Sequence, residues 1–277
     1  MEMIAEMLKK HGLRLQPAVA LLLVLSLLTV GFAAYKAIYP EAGKSTVSGG
    51  GAVIDKTHAE LGYIRVKYES GKKAIKVRVV KDKTTLTYDI TPGKDYTVIP
   101  LQLGSGSYKV TVYKQASGKK YTEQMSTTVK AKLEDELAPF LCPNQYVWYE
   151  KGGAVVKKAA ELCKSCKTDT EKFSKIQEYI KRNIVYDYIA AMSVKSGYLP
   201  NTETTFKTNK GICFDFSALM CAMLRSQGVP AKLVIGYADK TYHAWINVYL
   251  DGEWKQYDPT FASTGAKVKS YTTERWY

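Results

Sequence analysis

One stretch limits what this chain can fold into more than any other: Lys210-Gly211-Ile212-Cys213-Phe214-Asp215-Phe216-Ser217-Ala218-Leu219. A glycine turn leads into a cysteine that opens an amphipathic helix, with Leu219, Met220, Met223 and Leu224 at helical spacing. Gly228-Val229-Pro230 ends it, glycine just past the last turn and proline beyond. A thiol in the first turn of a helix sits at the positive end of the dipole, which favours the nucleophilic thiolate. Asp215, in the same turn, is a first-turn acid favoured by the same field.

Two runs after the helix predict strands, Ala231 to Tyr237 and Tyr242 to Leu250. A turn at Asp251-Gly252 leads to a third, Trp254 to Tyr257, and then to Asp258-Pro259-Thr260. Along the middle strand His243, Trp245 and Asn247 share one face, while Ala244, Ile246 and Val248 share the other, which suits the core. A helix-borne cysteine, a strand-borne histidine and an aspartate on the adjacent strand are the parts of a thiol triad. His243 is the only histidine in the C-terminal half; His11 and His58 lie far upstream.

Gly211-Ile212-Cys213-Phe214-Asp215, the run Met223 to Ala231, His243-Ala244-Trp245 and Asp258-Pro259-Thr260 together resemble the transglutaminase-like superfamily, from about Phe173 to Phe261. The resemblance implies an α+β, papain-like core with the cysteine helix packed on an antiparallel sheet. It puts the nucleophile at Cys213, the base at His243 and the orienting acid at Asp258. Asn183 to Asp187 resembles the family's segment just ahead of the cleft, so Tyr186 is an oxyanion candidate beside the Cys213 backbone N–H. Trp245 and Asn247 are substrate-cleft candidates, although many members have Asn-Glu where Ile246-Asn247 stands. The implied chemistry acts on amide bonds of a protein or peptide through a thioester and needs no cofactor. Hydrolysis, as in a peptidase or amidase, is the default. Amine transfer, as in a cross-linking transglutaminase, is the alternative, and an inactive cell-envelope binding module is the rival from another class.

Leu15 to Tyr35 holds no charged residue over 21 positions and follows Lys9, Lys10 and Arg14. About 20 apolar residues span a bilayer core, and basic residues keep their own side cytoplasmic. Gly31-Phe32-Ala33 also fits a cleavage site. The segment is therefore a signal-anchor, with the remainder outside a single-pass membrane protein, or a signal peptide whose removal secretes it. The uncharged run exceeds a usual signal core, which favours the anchor. Four parts follow: 1–40 signal-anchor, 41–57 a flexible linker rich in Gly, Ser and Thr, 58–135 a β-sandwich, and 136–277 the transglutaminase-like domain.

From Leu61 to Leu133 six period-two runs alternate with turn signals, which argues an antiparallel sandwich. Between Leu61 and Lys132 there are fifteen Lys/Arg against five Asp/Glu, within a chain of formal charge +14. That excess suits either a solvated face or an anionic cell-envelope polymer. No nucleic-acid motif accompanies it. Tyr188 to Asn209 reads as a long loop over the site. Cys163-x-x-Cys166 lacks the further ligands that a structural zinc needs, so no metal is expected. In an exported chain a disulfide among Cys142, Cys163 and Cys166 is open, and Cys221 suits the core.

Overall fold

The computed structural model describes residues 34–69, 71–93 and 95–277. The expected membrane segment lies outside these residues except for its last two positions. Among the described residues no helix is long and apolar enough to cross a membrane.

The alternating runs form two four-stranded antiparallel sheets. One has β1 (Thr46–Gly49), β2 (Ala52–Asp55), β3 (Tyr63–Tyr68) and β6 (Thr97–Pro100) side by side. The other has the order β5 (Thr84–Ile90), β4 (Ile75–Lys81), β7 (Gly106–Ser117), β8 (Lys120–Ala131). Their inward residues, among them Ile64, Val66, Val77, Val79, Val110 and Val112, are fully buried in one cluster. The outward alternates carry the charge, with Lys76 and Arg78 set over the rings of Tyr121 and Tyr113.

The expected linker 41–57 is instead a hairpin of this sandwich. Gly50 and Gly51, at φ 54° and 83°, make the turn between β1 and β2. Ala52 and Ile54 enter the core. Asp55, 2% exposed, binds Arg65 at 2.7 Å and accepts the N–H groups of Gly43 and Thr57 at 3.1 and 3.0 Å. Small residues that resemble a linker in composition are used here for a tight turn and for anchoring. Arg65, one of the fifteen basic residues counted between Leu61 and Lys132, is spent on that anchor.

The C-terminal part begins with α1 (Ala154–Cys163) and α2 (Asp169–Asn183). Then come β9 (Val185–Tyr186), α3 (Tyr188–Ser193), α4 (Thr202–Thr208) and β10 (Lys210–Gly211). The expected loop Tyr188–Asn209 thus contains two short helices, because Asp187 and Asn201 cap them by accepting from Ala190 and Thr204 N–H at 2.9 Å each. The cysteine helix α5 spans Cys213–Ser226. It is buried on all sides rather than amphipathic, with Phe216 through Arg225 at 0% exposure. A four-stranded sheet of order β13 (Glu253–Tyr257), β12 (Thr241–Leu250), β11 (Ala231–Ala238), β14 (Tyr271–Trp276) supports it, with α6 (Pro259–Thr264) between β13 and β14 in sequence.

Arg225 closes the C-terminal part on itself, and Tyr277 joins it to the sandwich. The Arg225 guanidinium donates to the carbonyls of Ala231, Cys142 and Tyr277 at 2.8 Å each. The Tyr277 ring meets Tyr146 at 3.8 Å and Tyr88 of the sandwich at 5.7 Å between centroids. Gly228, at φ 77°, follows α5 where a Cβ would lie 2.0 Å from the Tyr35 carbonyl oxygen, so only glycine fits.

Candidate active site

β9 and β10 pair in parallel, Val185 with Lys210 and Tyr186 with Gly211, which sets Tyr186 beside the turn into α5. At Gly211 a Cβ would meet Asp215 Cβ at 2.5 Å. Glycine is required there because Asp215 folds back to accept the Ile212 N–H at 2.9 Å. Tyr198 donates its hydroxyl to the other Asp215 oxygen at 2.6 Å. Burial pushes the Asp215 carboxyl above its ordinary range, against the pull of these two bonds. The covering segment is thereby latched to the first turn of the cysteine helix.

Cys213 is half-buried at the start of α5, where the first backbone N–H groups have no partner within the helix. His243, on β12 opposite Gly236, is 5% exposed. Its Nε2 lies 2.8 Å from Asp258 Oδ2. With Nε2 committed to Asp258, Nδ1 is the ring nitrogen left for the Cys213 sulfur, which is near enough to raise the ring's pKa. Phe261 lies flat on the imidazole, 4.4 Å away at 7°. Burial disfavours the charged ring, but the bonds to Asp258 and Cys213 and their negative charge outweigh it, holding His243 up at about 9.

Asp258 is not on the strand itself. It follows β13 as the N-cap of α6, and Asp-Pro is a natural helix start because proline gives up no needed N–H at the first helical position. Its carboxylate is divided between two tasks. Oδ1 accepts the N–H groups of Thr260 and Phe261, both at 3.0 Å. Oδ2 meets His243 and also accepts the Tyr271 hydroxyl at 2.9 Å. Each lone pair is occupied, so the carboxylate cannot rotate away from the ring.

The structure thus brings together Cys213, His243, Asp258 and Tyr186. The Tyr186 hydroxyl is raised by burial and by the nearby Cys213 sulfur. Two expected cleft residues lie elsewhere. Trp245 is 0% exposed, packed against Tyr271 at 4.9 Å, so it cannot touch substrate. Asn247 pairs with Lys232 and Gln256, four residues or about 13 Å along the strand from His243. Both misplacements follow from using strand alternation alone, which gives a face but neither its depth nor its distance from the thiol. Tyr271 and Phe261 escaped the sequence reading. The helix-start signature at Asp258-Pro259 pointed to Phe261 in the first turn; nothing marked Tyr271, on a polar edge strand.

All five cysteines are free thiols. Burial pushes Cys142, Cys163 and Cys221 up to about 12, and the Cys166 N–H donates to the Cys163 carbonyl at 2.9 Å.

A thiol at a helix start, an imidazole near it and a carboxylate behind the imidazole are the groups that cysteine-based acyl transfer uses. Residues 156–259, a little over a third of the chain, match the transglutaminase-like superfamily. Over 85 residues it is 34% identical to the uncharacterized protein ML0607 of Mycobacterium leprae, covering 24% of this chain and 30% of that protein. Over 116 residues it is 30% identical to human kyphoscoliosis peptidase, covering 38% of this chain and 17% of the peptidase. The chain therefore spans less than a third of the length of either relative. A solved candidate cysteine protease of Cytophaga hutchinsonii is similar at 18% identity and TM-score 0.40, over 78% of this chain and 91% of that one.

Proposed function

We propose that the protein is a cysteine enzyme that breaks amide bonds in a protein or peptide through a Cys213 thioester, with water as the acyl acceptor. The observation that carries this reading is one buried imidazole held by Asp258 at 2.8 Å with the Cys213 sulfur near enough to raise its pKa. His243 Nδ1 takes the thiol proton, and Asp258 holds the opposite proton on Nε2 and offsets the imidazolium charge. The thiolate attacks the amide carbonyl carbon. The Cys213 N–H donates to the developing oxyanion, with the Tyr186 hydroxyl as second donor. The C–N bond then breaks as Nδ1–H protonates the leaving amine. Water, deprotonated by the same nitrogen, attacks the thioester and frees the acid and the thiol.

In this reading the uncharged run Leu15 to Tyr35 tethers the chain to a membrane, with the catalytic part outside. The basic sandwich face holds it against an anionic polymer. Salt-dependent cosedimentation with purified cell walls tests the second point, and protease added to intact cells tests the first. Protection of the C-terminal part until lysis refutes export.

The chemistry is tested with the full-length chain, glutamine-containing peptides and a primary amine, read by mass spectrometry. Cleavage or deamidation identifies water as the acceptor, whereas an amine adduct identifies a cross-linking enzyme. Absence of any acyl-enzyme on Cys213, with normal alkylation of that thiol, rejects acyl transfer.

A further inference from the structure

Nine of the ten exposed large hydrophobic side chains among the described residues fall within 185–199 or 237–242. These two segments flank the thiol and the imidazole. On the thiol side, α3 leaves directly from β9, whose partner β10 leads into Cys213. It has no buried residue; Ile189 and Met192 are 78% and 82% exposed. The Tyr188 ring touches Tyr186 at 4.9 Å, which joins this surface to the neighbourhood of the sulfur. On the imidazole side, Tyr242 immediately precedes His243 and packs on Tyr237 across the strand pair at 5.5 Å. Exposed apolar surface gathered in this way marks an interaction site rather than the scatter found on any protein.

The two segments and their neighbours hold as many carboxylates as lysines, but the carboxylates are engaged locally and the lysines are left to pair with an occupant. Asp187 is committed to the Ala190 N–H, Asp239 to the N–H groups of Lys269 and Ser270, and Glu203 to that of Val155. Lys195, Lys210 and Lys240 have no carboxylate partner among the described residues. An occupant complementary to this rim has bulky apolar side chains with acidic residues beside them.

We infer that Tyr188, Ile189, Met192 and Tyr242 form the binding rim for the acyl-donor polypeptide, selecting a bulky apolar residue next to the attacked amide and acidic residues flanking it. This rests on Cys213 being the acyl-transfer thiol. A membrane surface also accepts apolar and basic side chains together. A polypeptide is favoured because the rim abuts both reacting groups, so whatever lies on it crosses the sulfur, and a bilayer seated there would seal the thiol off.

The test uses the full-length chain and the double variant Ile189→Ser, Met192→Ser, both changes at exposed positions. One fluorescent peptide carries Leu-Phe before the reactive amide with Asp and Glu on either side; a control carries Gly-Ser in their place. The double variant keeps Cys213 alkylation by iodoacetamide within about twofold and loses at least about tenfold in kcat/KM on the apolar acidic peptide, with the control unchanged. Anisotropy with each chain also carrying Cys213→Ala reads binding without turnover, and Kd for the apolar acidic peptide rises at least about tenfold. Equal effects on both peptides, or none on either, overturn the inference. So does loss of flotation with anionic vesicles while peptide binding is retained, which would assign the surface to lipid. If no peptide is turned over although Cys213 alkylates normally, the acyl-transfer reading fails, and the anisotropy measurement still decides the rim.

Discussion

Replacing Asp258 by asparagine separates the charge of this carboxylate from its shape. Asparagine caps a helix about as well as aspartate, so its oxygen keeps the N–H groups of Thr260 and Phe261 and α6 keeps its start. The amide NH2 then points at His243 Nε2 and the Tyr271 hydroxyl, where Oδ2 had accepted from both. Nε2–H loses its acceptor. The ring turns to the tautomer protonated at Nδ1, which faces the sulfur and can no longer take its proton. The rise of His243 from 6.5 to about 9, at about 1.4 kcal/mol per tenfold, amounts to about 3 kcal/mol, or a few hundredfold in favour of the imidazolium. That is the net left after burial has opposed it, so Asp258 and Cys213 together contribute more than this figure, and the tautomer change adds to the loss. The same swap in a serine-protease triad lowers kcat about 10⁴-fold. Asp258→Asn is therefore expected to reduce kcat by about 10²- to 10⁴-fold with KM nearly unchanged. The direct assay is the rate of Cys213 alkylation by iodoacetamide from pH 5 to 10, with thermal unfolding as a check on the fold. An alkylation rate at pH 7 within about threefold of the parent chain, in a variant that unfolds at the parent temperature, would refute the argument.

Tyr271→Phe keeps the ring on Trp245 but removes one of the two donors to Asp258 Oδ2; kcat should fall by about tenfold, the value of one hydrogen bond to a charged acceptor, and an unchanged kcat would deny Tyr271 a positioning role. Thr57 and Arg65, against the opposing effect of burial, hold Asp55 down at about 2 from 3.8. That lowered value stabilises the fold by about 2 kcal/mol above the unfolded pKa and is lost as pH falls through about 2, so urea unfolding midpoints measured from pH 6 to 2 should drop less in Asp55→Asn than in the parent. Tyr198→Phe cuts the bond to Asp215, and limited proteolysis should then nick 188–209 faster than in the parent chain. With limiting iodoacetamide at neutral pH, Cys213 should be labelled before Cys142, Cys163 and Cys221, and earlier labelling of Cys221 would point to a different reactive thiol.

Periodicity made β3 to β8 legible, since each has a buried face that alternates with a polar one. Glycine and proline marked the end of α5. Three kinds of structure were not legible. β1 and β2 are only four residues each and lie in a Gly-Ser-Thr stretch, so their burial depends on the neighbouring strand β3. β14, with Thr272, Thr273, Glu274 and Arg275 exposed, has no apolar alternation, yet it carries the hydroxyl that holds Asp258. α3 and α4 rest on caps and local contacts rather than on an apolar stripe. Within the site, the residue types of Cys213, His243 and Asp258 were readable because chemistry needs those groups. Their supports, Phe261 and Tyr271, are generic aromatics whose role comes only from three-dimensional placement. Trp245 shows the opposite error: an aromatic on the histidine face that packing had already enclosed.

Arg225 sets the order in which this molecule can be assembled. Its guanidinium cannot shed its charge, and burying it requires carbonyls from Cys142, Ala231 and Tyr277 together. A growing chain that has passed Ala231 but not yet released Tyr277 from the ribosome has two of the three. Docking α5 at that stage would leave a buried cation short of an acceptor, so the cysteine helix settles only after the last strand has come back across the sheet. A nascent chain therefore carries its nucleophile in an unassembled state until Tyr277 has left the ribosome and reached the sheet. Ribosome-stalled chains of increasing length should gain fast Cys213 alkylation in a single late step, and an early gradual rise would contradict this order.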